Sequence, residues 1–169
     1  MSEEETMMDR VGAIMSNLTT MTLATAGPGG EPHAAAVYFA ADRDGTLYFL
    51  SAKTTVHAEH LLRDPRVAAT IHDENQQWES LRGIQLRGTA APVAAARMPR
   101  AAAVYAAKFA FAAIKGGAGG ALADALSKTT FWGLKPEWIR LIDNSRGFGF
   151  KEEISFPPDG GGMAKRAAE

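Results

Sequence analysis

At 169 residues, 46% hydrophobic and 22% charged, the chain has the length and composition of one globular domain with a filled core. Its 18 basic and 19 acidic residues leave a formal net charge of -1, which excludes a broad electrostatic pull toward nucleic acid or an anionic membrane, so any anion site must be local. The absence of cysteine excludes disulfides, thiolate metal centres and a cysteine nucleophile, and redox chemistry would need a bound cofactor.

The chain opens on Ser2-Glu3-Glu4-Glu5, acidic where a secretory signal would be basic. The alanine-rich run beyond Arg100 is interrupted by Lys108 and Lys115. The expectation is a soluble cytoplasmic protein with neither nucleic acid nor membrane as partner. Ser2 can cap a helix with Glu5 reaching back, and Met7, Met8, Val11, Ile14, Met15 and Leu18 then share one face. From Thr20 the period changes. Met21–Thr25, a Gly-Pro-Gly-Gly turn at 27–30, His33–Ala40, an Asp-Gly turn ending at Gly45 and Thr46–Leu50 predict an antiparallel meander. Thr55–Arg63 has helical spacing and is stopped by Asp64-Pro65 before the strand-like Val67–Ile71.

Gly83–Val93 alternates apolar Ile84 and Leu86 with Gln85 and Arg87, the pattern of a strand with one wet face. Ala94–Lys115 is helical by propensity, 116–120 breaks it, and 121–128 can form a further helical turn. Two final strands are expected at Trp138–Asp143 and Phe148–Phe156, joined by the turn Asn144-Ser145-Arg146-Gly147. Helical segments that do not alternate regularly with strands argue against a doubly wound parallel sheet. The pattern predicts a mainly β, α+β chain: a closed antiparallel barrel with helical caps, one domain over 1–156, and a disordered Gly-rich tail over 157–169.

The densest chemistry lies where a strand gives way to a helix, at Ser51, Lys53, Thr54, Thr55 and His57. Free N–H groups at a helix start, hydroxyls, a lysine and a histidine all suit phosphate oxygens. The same residues also fit a plain helix cap, with Thr54 or Thr55 capping and Lys53 and His57 solvated. His57 and His60 share a helix, but no third ligand is evident and no metal site is expected. No Gly-x-Ser-x-Gly elbow and no P-loop are present, so no catalytic residue is assigned.

Taken in order, the strand pair, the 51–57 cluster, Leu61-Leu62-Arg63-Asp64-Pro65-Arg66-Val67 and Leu81-Arg82-Gly83-Ile84-Gln85-Leu86-Arg87-Gly88 resemble the pyridoxamine 5'-phosphate oxidase-like flavin-binding family. The segment from Lys135 to Gly149 is similar to an uncharacterised branch of it. The resemblance implies an antiparallel split β-barrel with flanking helices, present as a homodimer holding FMN at its interface. It implies that Ser51, Lys53, Thr55 and His57 grip the phosphate and that the strand His33-Ala34-Ala35-Ala36-Val37 carries the ring. It implies that Trp78, Arg82, Gln85 and Asn144 of a second subunit close the site. The expected activity is hydride transfer through FMN between a reduced donor and an acceptor. A non-enzymatic flavin module, or a barrel holding deazaflavin or haem, are the alternatives. The vitamin-forming oxidase of the family carries an Arg-x-Val-Leu-Leu-Lys run in its second strand; Ala34–Tyr38 has no basic residue, so oxidation of pyridoxamine phosphate is not expected.

Overall fold

The computed structural model describes residues 3–110, 126–156 and 164–167. Helix α1 (Glu3–Asn17) leads into the meander β1 (Thr20–Ala26), β2 (Pro32–Ala41) and β3 (Leu47–Ser51). Helix α2 (Val56–Arg63), β4 (Arg66–His72), β5 (Arg82–Pro92), α3 (Met98–Lys108), β6 (Thr130–Asp143), β7 (Lys151–Ser155) and β8 (Ala164–Ala167) follow. The strand order is β3-β2-β1-β4-β5-β6-β7-β8, every pair is antiparallel, and an additional β3–β6 pairing closes the first six strands into a barrel. The fold is the expected mainly β barrel with flanking helices.

The alternation read from sequence sets the inside of the barrel. In β1, Met21, Leu23 and Thr25 are buried while Thr20, Thr22, Ala24 and Ala26 are exposed, and β4 repeats the pattern with Val67, Ala69 and Ile71 inside. Met7, Val11 and Met15 of α1 enter the same core, as the helical spacing requires. A second cluster forms where α3 lies over β2, β3 and β6, joining Ala101, Tyr105 and Phe109 to Ala40, Tyr48 and Phe131. Two ion pairs tie α3 and its approach to the β2–β3 turn: Arg100 to Asp42 at 2.5 Å and Arg97 to Asp44 at 2.5 Å. Lys108 at the end of α3 donates to the carbonyls of Met15 and Leu18, binding the last turn of α1.

Three elements differ from expectation, the simplest being β7, which begins at Lys151 instead of Phe148. The helix expected from Ala94 begins as a short 3-10 turn, Ala95–Arg97, and becomes α-helical only at Met98, with Pro99 in the first turn where no N–H is needed. The α-helix ends at Lys108, capped by an extended Phe109, instead of running on to Lys115, while the break at 116–120 and most of the turn at 121–128 lie outside the described residues. The larger difference is β6, which begins at Thr130 instead of Trp138. Pro136 reads as a strand breaker, but it sits at a register shift where Arg87 pairs with Trp138 and Gly88 with Pro136, leaving Glu137 as the extra residue. Of the tail, Ala164–Ala167 pairs with β7, and the remaining residues past Phe156 lie outside the described set. Among the described residues no helix is long and apolar enough to cross a membrane.

The bulge rests on Gly88. A Cβ there would lie 2.1 Å from the Lys135 carbonyl oxygen, and neither partner is the end of a flexible side chain. Gly88→Ala should therefore destabilise the fold by about 3 kcal/mol, by overpacking at a site that cannot relax. Urea unfolding of the purified variant measures this, and an unchanged midpoint would show that the β5–β6 bulge can open without cost.

Candidate functional site

The candidate site lies at the end of the barrel where β1 finishes, β2 begins and β3 hands over to α2. Ser51 is the last residue of β3, on the buried side, and the Trp132 indole of β6 donates to its carbonyl at 3.2 Å. The chain then turns through Ala52–Thr55, and Thr55 caps α2, its hydroxyl accepting from the Ala58 N–H and donating to the Ala52 carbonyl. The plain-cap reading of Thr55 thus holds. Ser51 Oγ is 2.6 Å from His57 Nε2 and 2.9 Å from Thr55 Oγ1, and Thr55 Oγ1 is 3.2 Å from His57 Nε2. Two hydroxyls and an imidazole form a closed triangle at the start of the helix. Lys53 and Thr54 are exposed beside it.

His57 is not solvated: it is 8% exposed. His33 of β2 lies nearly parallel to it with ring centroids 6.2 Å apart, and His60 stands edge-on to His33 at 5.8 Å. His60 Nδ1 is 3.1 Å from the Thr25 hydroxyl. Burial, then the proximity of His33 and His60, hold the His57 imidazole below its ordinary value of 6.5. Three of the four histidines in the sequence therefore meet in one place, although among the described residues no three His, Asp or Glu converge as a set that could hold a metal ion.

The His60 contribution was readable as spacing, since residues three apart share a helix face, but His33 joins only through the pairing of β2 with β1, where it sits opposite Thr25. The consecutive alanines of β2 do not share a face. Ala35 and Val37 turn inward with His33, whereas Ala34 and Ala36 are exposed on the outer side. There they lie opposite Ala24 and Thr22 of β1, which in turn face Ala68 and Thr70 of β4, giving a patch of sheet with no long side chain.

The remaining residues assigned to the site gather elsewhere. Arg82 pairs with Asp143 at 2.9 Å and donates to Ser145 at 2.7 Å, and the Asn144 amide donates to the Trp78 carbonyl at 2.7 Å. Trp78 and Phe148 meet edge-to-face, 63% and 83% exposed. Arg82 and Ala90, the latter bonded to the strand entry after α2, lie at opposite ends of β5, roughly 26 Å apart at about 3.3 Å per residue. Gln85 is on the outer face between them, accepting from Arg140 at 3.3 Å. Within one chain, Trp78, Arg82 and Asn144 do not reach the 51–57 cluster.

The profile of the pyridoxamine 5'-phosphate oxidase family matches residues 7–143. The chain belongs to this family. The UPF0306 protein of Pasteurella multocida is 28% identical over 117 residues, covering 69% of this chain and 70% of its own. Among solved structures, an Agrobacterium tumefaciens protein of unknown function superimposes with a TM-score of 0.63 at 26% identity over 76% of this chain, which spans only 52% of that protein. A pyridoxamine 5'-phosphate oxidase-related, FMN-binding protein of Nostoc punctiforme has a TM-score of 0.67 at 14% identity, covering 89% of this chain and 87% of its own. The haem storage protein HutZ of Vibrio cholerae has a TM-score of 0.61 at 20% identity, covering 76% and 89%. The last two likenesses establish the barrel and nothing finer.

The histidine arrangement has a consequence for the ligand-free protein. Because folding lowers the His57 pKa from 6.5, the unfolded chain takes up a proton first as pH falls, so the stability present above about 6.5 is lost below it. Thermal melts from about pH 7.5 down to about pH 5 should show a steeper decline for the native chain than for His57→Gln, which keeps a polar partner for Ser51 without a titrating ring. Parallel curves would remove His57 as the acid-labile group.

Proposed function

We propose that this chain binds FMN as a homodimer and works as a flavin-dependent oxidoreductase. The observation that carries the reading is the Ser51–Thr55–His57 triangle at the start of α2, where two hydroxyls, an imidazole and free helix N–H groups converge. These donors fit a terminal phosphate. The outer face of β2 fits the other end of the molecule, because Ala34 and Ala36 leave a flat ring room against the backbone. FMN, when bound, supplies hydride transfer between a reduced donor and an acceptor. The chain's part is to hold the phosphate, present β2 to the ring edge and exclude water.

Dimerisation is supported by where the other site residues lie. Trp78, Arg82 and Asn144 sit at the end of β5 away from the 51–57 cluster, which fits their delivery to the ligand by a second copy. The exposed alanine and threonine patch around Ala34 and Ala36 is a surface two chains can approach closely. No basic residue stands on β2 from Ala34 to Tyr38, and this favours a substrate other than pyridoxamine phosphate.

The visible spectrum of the purified protein tests the reading directly. A flavin doublet bleached by NADH or NADPH is the expected result. A doublet that neither nucleotide reduces leaves a binding module, a Soret band indicates haem, and failure to reconstitute with FMN overturns the proposal. Thr55→Ala should weaken FMN binding roughly tenfold, about 1.4 kcal/mol, and Thr55→Ser should restore it. Lys53→Ala should cost less, about threefold, because its ammonium is exposed.

A further inference from the structure

Nothing in a phosphate-binding role requires three imidazoles, yet His33, His57 and His60 come from two elements to meet at this end of the barrel. The one lysine beside them, Lys53, is exposed, and no arginine is bonded to Ser51, Thr55 or His57 among the described residues. Resting on the FMN reading, we infer that His33, His57 and His60 form a single anion receptor that acquires its positive charge from solvent protons as the ligand's phosphate enters.

The geometry supplies a route. In the neutral His57 tautomer with its proton on Nδ1, Ser51 donates to Nε2 across 2.6 Å. A proton on Nε2 makes the ring a donor, Ser51 Oγ then accepts, and the hydroxyl proton is released to point at a phosphate oxygen. His60 is already held by Thr25, which fixes its ring edge toward His33. Without an anion, protonating two neighbouring rings is opposed by burial and by their mutual repulsion, which agrees with the depressed His57. A dianion reverses both effects.

The other charges facing the cluster are few. Glu31 in the β1–β2 turn is closest: a Cβ on Gly27 would meet its Oε2 at 2.5 Å and His60 Nε2 at 3.2 Å. Its carboxylate opposes the phosphate. Glu59 and Arg63 of α2 are exposed, as is Lys53. The ligand's own second pKa, near 6, sets the lower limit, because a monoanionic phosphate loses part of the attraction. Affinity should peak near pH 6 to 6.5 and fall by roughly tenfold or more per pH unit above about 7, as at least one proton is taken up per phosphate bound.

Calorimetric titration of the full chain with FMN, and separately with inorganic phosphate, in two buffers of different ionisation enthalpy at about pH 7.5 reads the proton count directly. The expected result is an uptake of about one to two protons, falling by about half in His33→Gln and His60→Gln, with a roughly tenfold loss of affinity near pH 6.5 and a much smaller one near pH 8.5. His72→Gln, remote on β4, should change neither, and unchanged melting temperatures of the variants separate the effect from folding. FMN binding without proton uptake, or uptake that survives both variants, overturns the inference while leaving the FMN reading standing. Inorganic phosphate bound with uptake by a protein that does not bind FMN keeps the receptor and overturns the flavin. If neither ligand binds, both fall.

Discussion

Everything in the site depends on the closure of the barrel by β6. This strand is paired with β5 along one side and, through Thr130–Leu134, with β3 along the other. Without that second pairing β3 would be an open edge and its last residue, Ser51, would have no fixed place. Closure places Trp132 at the core of the barrel, stacked on Phe49 with ring centroids 6.2 Å apart, and its indole N–H fastens the Ser51 carbonyl. A long strand can serve both neighbours only by bending, and the bulge at Glu137 provides the bend. The bulge in turn requires the Gly88 backbone to pass against the Lys135 carbonyl, so one missing side chain on β5 shapes the strand that fastens Ser51.

The alternation of a β-strand then divides the site in two. His33, Ala35 and Val37 point into the barrel, and Ala34 and Ala36 point away from it. A continuous stretch of sequence therefore gives its inner side to the polar cluster under α2 and its outer side to a smooth patch of sheet. A ligand with an anionic end and a flat apolar end matches this division, provided it wraps from the mouth of the barrel onto the outer face.

How much of this was legible in the sequence follows from the range of each interaction. Strands with one wet face, such as β1 and β4, and helices with an apolar stripe, such as α1, announce themselves because their pattern is local. The 51–57 cluster was legible for the same reason, as was the His57–His60 pair. The first half of β6 was hidden because Pro136 carries the signal of a breaker, and only the partner strand shows that it occupies a bulge. His33 was readable as a residue of β2 but not as a neighbour of His57, which takes the β1–β2 register and the docking of α2 together. Trp78, Arg82, Gln85 and Asn144 are assigned to the site only by resemblance, and the meeting of Trp78 with Asn144, and of Arg82 with Asp143 next to it, away from Ser51, is a property of the closed barrel.

A receptor built from imidazoles behaves differently from one built from arginines. Fixed guanidinium groups would hold phosphate at any physiological pH, but in this barrel three of them would repel one another in the empty protein with no partner to offset the cost of burial. Imidazoles avoid that penalty, because each can be neutral when the site is empty and packs as a polar aromatic ring. His57 shows the advantage: it is buried, its hydrogen bond to Ser51 is satisfied, and its charge is suppressed by burial and by its two neighbours. On the proposed reading, the charge would appear only when an anion makes it favourable. The cost is that affinity becomes tied to proton supply, so such a site discriminates by ligand charge as well as by shape. It would favour a dianionic phosphate monoester over a diester with the same ring system, since a single negative charge gives much less reason to protonate a second ring.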